Sequence, residues 1–392
     1  MRHAFRDTSY FCPSYWHLCR PSWPIALSPP AGEGSVMDRR QFILASGAAM
    51  ACMIANGARA QATQAPVHPA RIYWEAWKKR FLKDGRVVDN VQMEASHSEG
   101  QGYGMILATA FDDQEAFAAM LDWSDLHLSV RGDGLYAWRW LEPNGGSVPD
   151  LNNASDGDLF IAWALARASR RFDNPTYLER ATVIARALLA KCVVTDESDG
   201  SLLLLPAQAG FNTPQGNILN PSYYMLRAMR EVAEATGEAR FTAVARDGQR
   251  MLARLAAGGP VPDWVLVSEG TFSPAPGMSW NSGYEALRVP LYLAWSGDIE
   301  NPAVNRFRTV LDQVPFGSDQ TPVVIDRETS APLEWSAEPG YRACNGLLTC
   351  VSDGQAGSAI PAFTADQSYY PATLHLLTLV AQWEISPQCV PV

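Results

Sequence analysis

Histidine is scarce in this chain, with six in 392 residues, and no HExxH or CxxC pattern occurs. A bound zinc needs three or four such ligands at tight spacing, so neither a metal nor another cofactor is expected. Basic charge is also short. The 31 Lys and Arg face 41 Asp and Glu, for a net charge of -10. A nucleic-acid backbone or an anionic membrane surface demands clustered cations. Nucleic acid is therefore excluded as a partner, and a neutral polymer such as a glucan fits better. No Gly/Ser linker, charge block or low-complexity stretch follows residue 65, which points to one domain over 66–392. What the chain has in quantity is apolar residues, at 47% with 10% aromatics, enough for one large core.

The most apolar stretch, residues 42–56, is shorter than the roughly 18 residues that span a bilayer. Arg39 and Arg40 precede it and Ala58-Arg59-Ala60 follows it. A basic region, an apolar run and a small-x-small site make an export signal over 37–60, with the paired arginines resembling a twin-arginine signal. Export to the periplasm or medium is expected, with no stable membrane insertion after cleavage. Residues 1–36 lack helical or strand periodicity and would precede the signal, so Met37 is the expected start of translation. Export also permits disulfides. Of the mature cysteines, Cys192, Cys344, Cys350 and Cys389, the expected pair is Cys344 and Cys350, read as flanking a short loop.

Helices are expected near 68–83, 102–121, 156–172, 176–192, 221–236, 240–256, 283–296, 302–313 and 368–384. Residues 159–168, LFIAWALARA, are apolar nearly all round, which marks a helix buried on every side. The next helix puts Tyr177, Ala181, Ile184 and Leu188 on one face, after Asn174 and Pro175 as N-cap and first residue. Inner helices alternating with amphipathic outer ones suggest a closed ring of α-hairpins, an all-α fold. Inner-helix starts recur at intervals of about 60 residues, the last one longer. Ser98, Ser155 and Ser282 each open a Ser-x-x-acid or amide capping box. Asn220-Pro221-Ser222-Tyr223 and Gln367-Ser368-Tyr369-Tyr370 open two more helices. Polar loops over 131–153 and 258–282 would wall a cleft, with a short strand expected at 135–141.

Three acids fall at these helix starts: Glu99, Asp156 and Glu285. Cleaving a glycosidic bond needs two carboxyls, one to protonate the leaving oxygen and one to activate water or attack carbon. Each acid alone reads more often as a helix cap or dipole partner, and the recurrence of all three on one face shifts the balance toward chemistry. Glu99, in HSEGQGYGM, reads as the proton donor, which requires a raised pKa against its own helix dipole. Asp156 is the neighbour that could raise it. Arg288, one turn beyond Glu285, would hold that residue ionised as a base. Tyr103, Trp138, Tyr223, Trp280, Tyr284 and Tyr369 are candidate sugar platforms. Trp138 reads equally as core, and Trp163 as core.

ASDGDLFIAWALARASRRF at 154–172 closely resembles the signature of glycoside hydrolase family 8. EGQGYGM resembles that family's acid motif and GYEALRVPLYLAW, at 283–295, its base region; NPSYY and DQSYY also have counterparts. The resemblance implies an (α/α)6 barrel and an inverting endo-β-1,4-glucanase, close to those that accompany bacterial cellulose synthases, with a cellulose synthase complex as a possible partner. By the same resemblance Glu99 is the acid and Asp156 binds and distorts the central sugar. Similar proteins carry GYDAxRV, with aspartate as the base, where this chain has Glu285. That departure keeps open a glucan-binding component with weak catalysis, and the resemblance also covers hydrolases of xylan or chitosan.

Overall fold

The computed structural model describes residues 68–391 apart from 143, 144, 316 and 355. The extension, the export signal and Cys12, Cys19 and Cys52 lie outside the described residues. Eleven α-helices follow in order: α1 Arg71–Phe81, α2 Ser98–Ala110, α3 Gln114–His127, α4 Ser155–Arg171, α5 Pro175–Lys191, α6 Leu226–Thr236, α7 Arg240–Ala257, α8 Val289–Trp295, α9 Pro302–Leu311, α10 Pro339–Asp353 and α11 Tyr369–Ile385. They form an (α/α)6 barrel. Helices α2, α4, α8 and α11 are buried along nearly their whole length, as a helix apolar all round must be. Helix α5 buries only Ala181, Ile184, Ala185, Leu188 and Leu189. Asn174 caps it by accepting the Thr176 N–H at 3.1 Å, with Pro175 at the first position.

One polar network shows that the inner helices run in the same direction. Arg167, late in α4, donates to Glu231 on α6 at 2.8 Å and to Glu384 on α11 at 2.7 Å. The indoles of Trp163 and Trp295 donate to the same two carboxylates, at 2.7 and 2.8 Å. Arg167, Trp295 and Glu384 lie toward the C-terminal ends of α4, α8 and α11, and they meet α6 at its middle, so the N-terminal ends of α4, α8 and α11 gather on the opposite face. Trp163 is fully buried, the core residue expected of it.

The glycines of the 97–105 run serve this packing. A Cβ on Gly102 would lie 2.6 Å from the Phe160 Cβ, and one on Gly157 would lie 2.6 Å from the Glu99 nitrogen. Helices α2 and α4 approach this closely only because both contact positions lack a side chain. Gly100 and Gly104 likewise face neighbouring helices, at Tyr369 and Met120.

Two expectations about the helices change, and one about the disulfide. The helix expected at 102–121 is two helices, because Asp112 adopts a positive φ of 57° and Asp113 caps α3, accepting the Ala116 N–H at 3.1 Å. Helix α10 was not expected. It carries both Cys344 and Cys350 on one continuous helix, where six residues mean a rise of about 9 Å and side chains about 120° apart around the axis, so the two cannot pair. Cys350 is bonded to Cys389, while Cys344 is buried with its sulfur 3.3 Å from the Thr378 hydroxyl. The bridge closes a separation of 39 residues. Reducing it should lower the free energy of unfolding by about 4 kcal/mol on loop-closure grounds. Urea unfolding with and without reductant checks this, at acidic pH so that Cys192 and Cys344, buried in the folded state, do not exchange once unfolding exposes them.

Short antiparallel strands lie in the connecting loops. Thr271–Ser273, Val265–Ser268, Gly216–Leu219 and Asn212–Thr213 form one sheet in that spatial order. Of the strand expected at 135–141 only Arg139–Trp140 forms, pairing Ser96 with Trp140 and His97 with Arg139. This pairing seats the 131–153 loop beside the start of α2.

Candidate active site

The gathered helix starts bring Glu99 on α2, Asp156 on α4 and Glu285, just before the 3-10 turn Ala286–Arg288, around one guanidinium. Arg288 donates through Nη1 to Glu99 and through Nη2 to Glu285, and Nη2 lies 3.6 Å from Asp156. Its Nε and Nη2 also reach the Ser222 hydroxyl at 3.1 and 3.0 Å, and Nη1 reaches the Tyr103 hydroxyl at 2.9 Å. An arginine stays charged under any such surroundings. Arg288 therefore serves all three acids, where the i,i+3 spacing alone assigned it to Glu285.

The capping-box explanation of the acids fails on the geometry. Ser98 and Ser155 stand inside their helices, behind His97 and Ala154 as N-caps, and neither helix has a side-chain cap. At the third site Asp263 is the cap, accepting the N–H groups of Gly283 at 2.8 Å and Ala286 at 2.9 Å. The Glu285 side chain is thereby free of helix duty and turns to Arg288, Asn220 and Ser222.

Glu99 and Glu285 line one cleft of about 370 Å³. Their side chains are 26% and 37% exposed, while that of Asp156 is 3% exposed. Two carboxyls can therefore touch a bound polymer, and the third acts on it only through movement or through its neighbours. Burial raises the Glu99 carboxyl, but Arg288 and the hydrogen bonds from Asp156 and Tyr103 outweigh this and hold it below its ordinary value. Burial and the Glu99 charge push Asp156 well up. The pair thus keeps one proton between two carboxyls, resting on Asp156. This reverses the expected placement of the raised pKa. Burial also raises Glu285, against the pull of Arg288.

The aromatic candidates divide. Tyr284, 47% exposed, and Tyr369 line the cleft with Glu99 and Glu285. Tyr103 is buried beneath them and donates to Glu99 at 2.8 Å, so it orients the acid and offers no platform. Tyr223 stands with its ring 5.8 Å from the Arg288 guanidinium. Trp138 stacks on His97 at 6.0 Å and donates to Asp150 at 2.9 Å. Trp280 does not join the acids. Arg327 covers its ring at 4.6 Å, and it lines a separate hollow with Phe272 and Arg254. Residues not singled out from sequence are Asn220, Ser222, Asp263, Tyr292 and Tyr370. Tyr292 sits 2.6 Å from the Tyr103 hydroxyl, and Tyr370 lines the cleft. The Asn-Pro-Ser start of the 220–223 turn was the available signal for the first two.

One buried acid near the site sets a pH dependence of stability. Asp158 is fully buried and accepts the Tyr136 N–H at 2.8 Å and the Asn153 amide at 3.0 Å. Burial pushes it up to about 7, against those hydrogen bonds. A carboxyl raised in the folded state binds its proton more tightly there than when unfolded. Stability should therefore fall as pH rises from about 4 to about 7, by roughly 1.4 kcal/mol per unit, and level off above. Asp158→Asn should flatten that slope in denaturant titrations at pH 5 and 7.5.

Residues 42–384 match the sequence model of glycosyl hydrolases family 8. A probable endoglucanase of Novacetimonas hansenii is 34% identical over 79% of this chain and 90% of its own length. An endoglucanase of Cellulomonas uda is 34% identical over 71% of this chain and 77% of its own. Among solved structures, the endo-beta-1,4-glucanase CMCax of Acetobacter xylinum superposes with a TM-score of 0.72 at 33% identity, covering 81% of this chain and 99% of that one. With acids, barrel and sequence in agreement over nearly the whole described chain, this protein belongs to the glycosyl hydrolases of family 8.

Proposed function

We propose that the protein is an inverting endo-β-1,4-glucanase that cuts internal bonds of cellulose-type glucan. The observation that carries this is the placing of Glu99 and Glu285 on the two terminal nitrogens of one guanidinium, both open to one cleft. In this reading Glu99 gives its proton to the glycosidic oxygen as the bond from that oxygen to the anomeric carbon breaks. Glu285 takes a proton from the water whose oxygen bonds to that carbon from the opposite face. Inversion needs a gap of about 6.5–9.5 Å between the two carboxyls to hold that water. Asp156, buried beside Glu99, supplies it with the shared proton.

The relatives named above are endoglucanases, which supports the substrate class. The expected export signal supports work outside the cytoplasm, beside a cellulose synthase complex as possible partner. Among the described residues no helix is long and apolar enough to cross a membrane. The test is release of reducing ends from carboxymethylcellulose, xylan and chitosan, with NMR of the first product from cello-oligosaccharides. Release from the cellulose derivative with the α-anomer formed first is expected. No release from it, or a β-anomer formed first, overturns the proposal.

A further inference from the structure

The base candidate Glu285 is held from one side only. Among the described residues the contacts its carboxylate makes all fall on Oε2: hydrogen bonds from Arg288 and from the Asn220 amide at 3.2 Å, with the Ser222 hydroxyl 3.4 Å away. Oε1 is left to the cleft that Glu285 lines.

The Asn220 amide can face only one way. Its Oδ1 accepts the Ser222 backbone N–H at 3.0 Å, and a backbone N–H can meet only the oxygen. Nδ2 is thereby turned toward Glu285. The Ser222 hydroxyl sits 2.6 Å from the same Oδ1 while accepting from Arg288. Its single proton is committed to Asn220, which leaves that amide as the neutral donor on Glu285. Asn220 is itself fully buried, so it does not touch substrate. Its fixed position comes from capping the 3-10 turn Pro221–Tyr223.

We propose that Asn220 is the positioning residue for Glu285: it pins Oε2 so that Oε1 faces the attacking water, and it favours the ionised form that can accept the water's proton. The proposal rests on the glucanase reading for the role of the water, while the pinning of Glu285 stands apart from turnover. It matters because Glu285 has one more methylene than aspartate and a further rotor to fix. The other groups facing Glu285 are Glu99, Asp156, Asp263, Arg288, Tyr223 and Tyr370. The acids among them disfavour its charge, and Arg288 and Asn220 favour it.

Asn220→Asp separates the two duties of this side chain. Aspartate keeps the oxygen that caps the turn, and it is as good a cap as asparagine. It loses the donor to Glu285 and adds a like charge. The variant should fold with a melting temperature near wild type. Its kcat on cello-oligosaccharides should fall about tenfold or more with KM within about twofold. The acid limb of its kcat/KM profile should move up by about one pH unit or more. Asn220→Ala should move that limb in the same direction by less. Titration of carboxyl-labelled glutamate by 13C NMR, with Glu285 assigned from Glu285→Gln, reads the same shift without turnover. A folded Asn220→Asp with wild-type kcat and an unmoved acid limb overturns the proposal. So does an activity loss with an unmoved Glu285 titration, which would mark a structural role alone. Failure of the wild type to release reducing ends would overturn the glucanase reading, and the titration would still decide whether Asn220 pins Glu285.

Discussion

Glu99→Gln should reduce the release of reducing ends from cello-oligosaccharides by about a thousandfold, within the range that a general acid contributes. The leaving group in glucan hydrolysis is a sugar alkoxide, which departs poorly unless protonated as the bond breaks. Glutamine keeps the shape and can still accept from the Tyr103 hydroxyl, but it has no proton to give at this acidity. The fold should survive. Arg288 keeps Glu285 and Asp156 as partners, and the Glu99 charge that raises Asp156 is gone, so Asp156 ionises more readily and replaces the lost counter-charge. A cellobioside with a 2,4-dinitrophenyl leaving group needs no protonation. The variant should lose far less activity on it, and that difference distinguishes a missing acid from a damaged cleft. Equal losses on both substrates would remove Glu99 from the role of proton donor.

The sequence carried the ring and the acids because both follow from local rules. Apolar all-round segments must be inner helices, so α4 was legible from residues 159–168 and α5 from its one-sided pattern. The acids were legible because they recur at the starts of such helices. What was not legible depends on contacts distant in sequence. Nothing near Cys350 marks Cys389 as its partner, and the breaking of the α2–α3 segment at Asp112 turned on one positive φ that aspartate tolerates. The proton rests on Asp156 and not on Glu99 for the same reason. A helix dipole and one neighbouring acid were visible in the sequence, whereas Arg288 on Glu99 bridges residues 189 apart. Its position before the base makes Trp280 read as a platform, but Arg327 from another loop covers its ring. The cap of the base-bearing turn was assigned to Ser282 by spacing, and Asp263, twenty residues upstream of Gly283, performs it.

Glu285→Asp puts the largest remaining question to the site, because similar proteins carry aspartate at this position. If the extra methylene merely crowds the attacking water, shortening the side chain should raise the rate. The geometry argues the other way. Arg288, Asn220 and Ser222 all meet this carboxylate at Oε2, so the pocket is fitted to a glutamate. Aspartate would withdraw the carboxylate by about one bond length, and the 3.2 Å contact from Asn220 would pass beyond hydrogen-bonding range. A base displaced by about 1 Å can cost about a hundredfold in rate. We therefore expect kcat to fall by about ten- to a hundredfold, with KM little changed, because Glu285 acts on the water and not on the sugar's resting position. Stability should change little, since aspartate keeps the negative charge beside the buried Arg288, which also retains Glu99 and Asp156 as partners. Steady-state kinetics on cello-oligosaccharides decide the matter. A rise in kcat would mean that the native site is hindered by its longer base, and would favour a protein that holds glucan more than it cuts it.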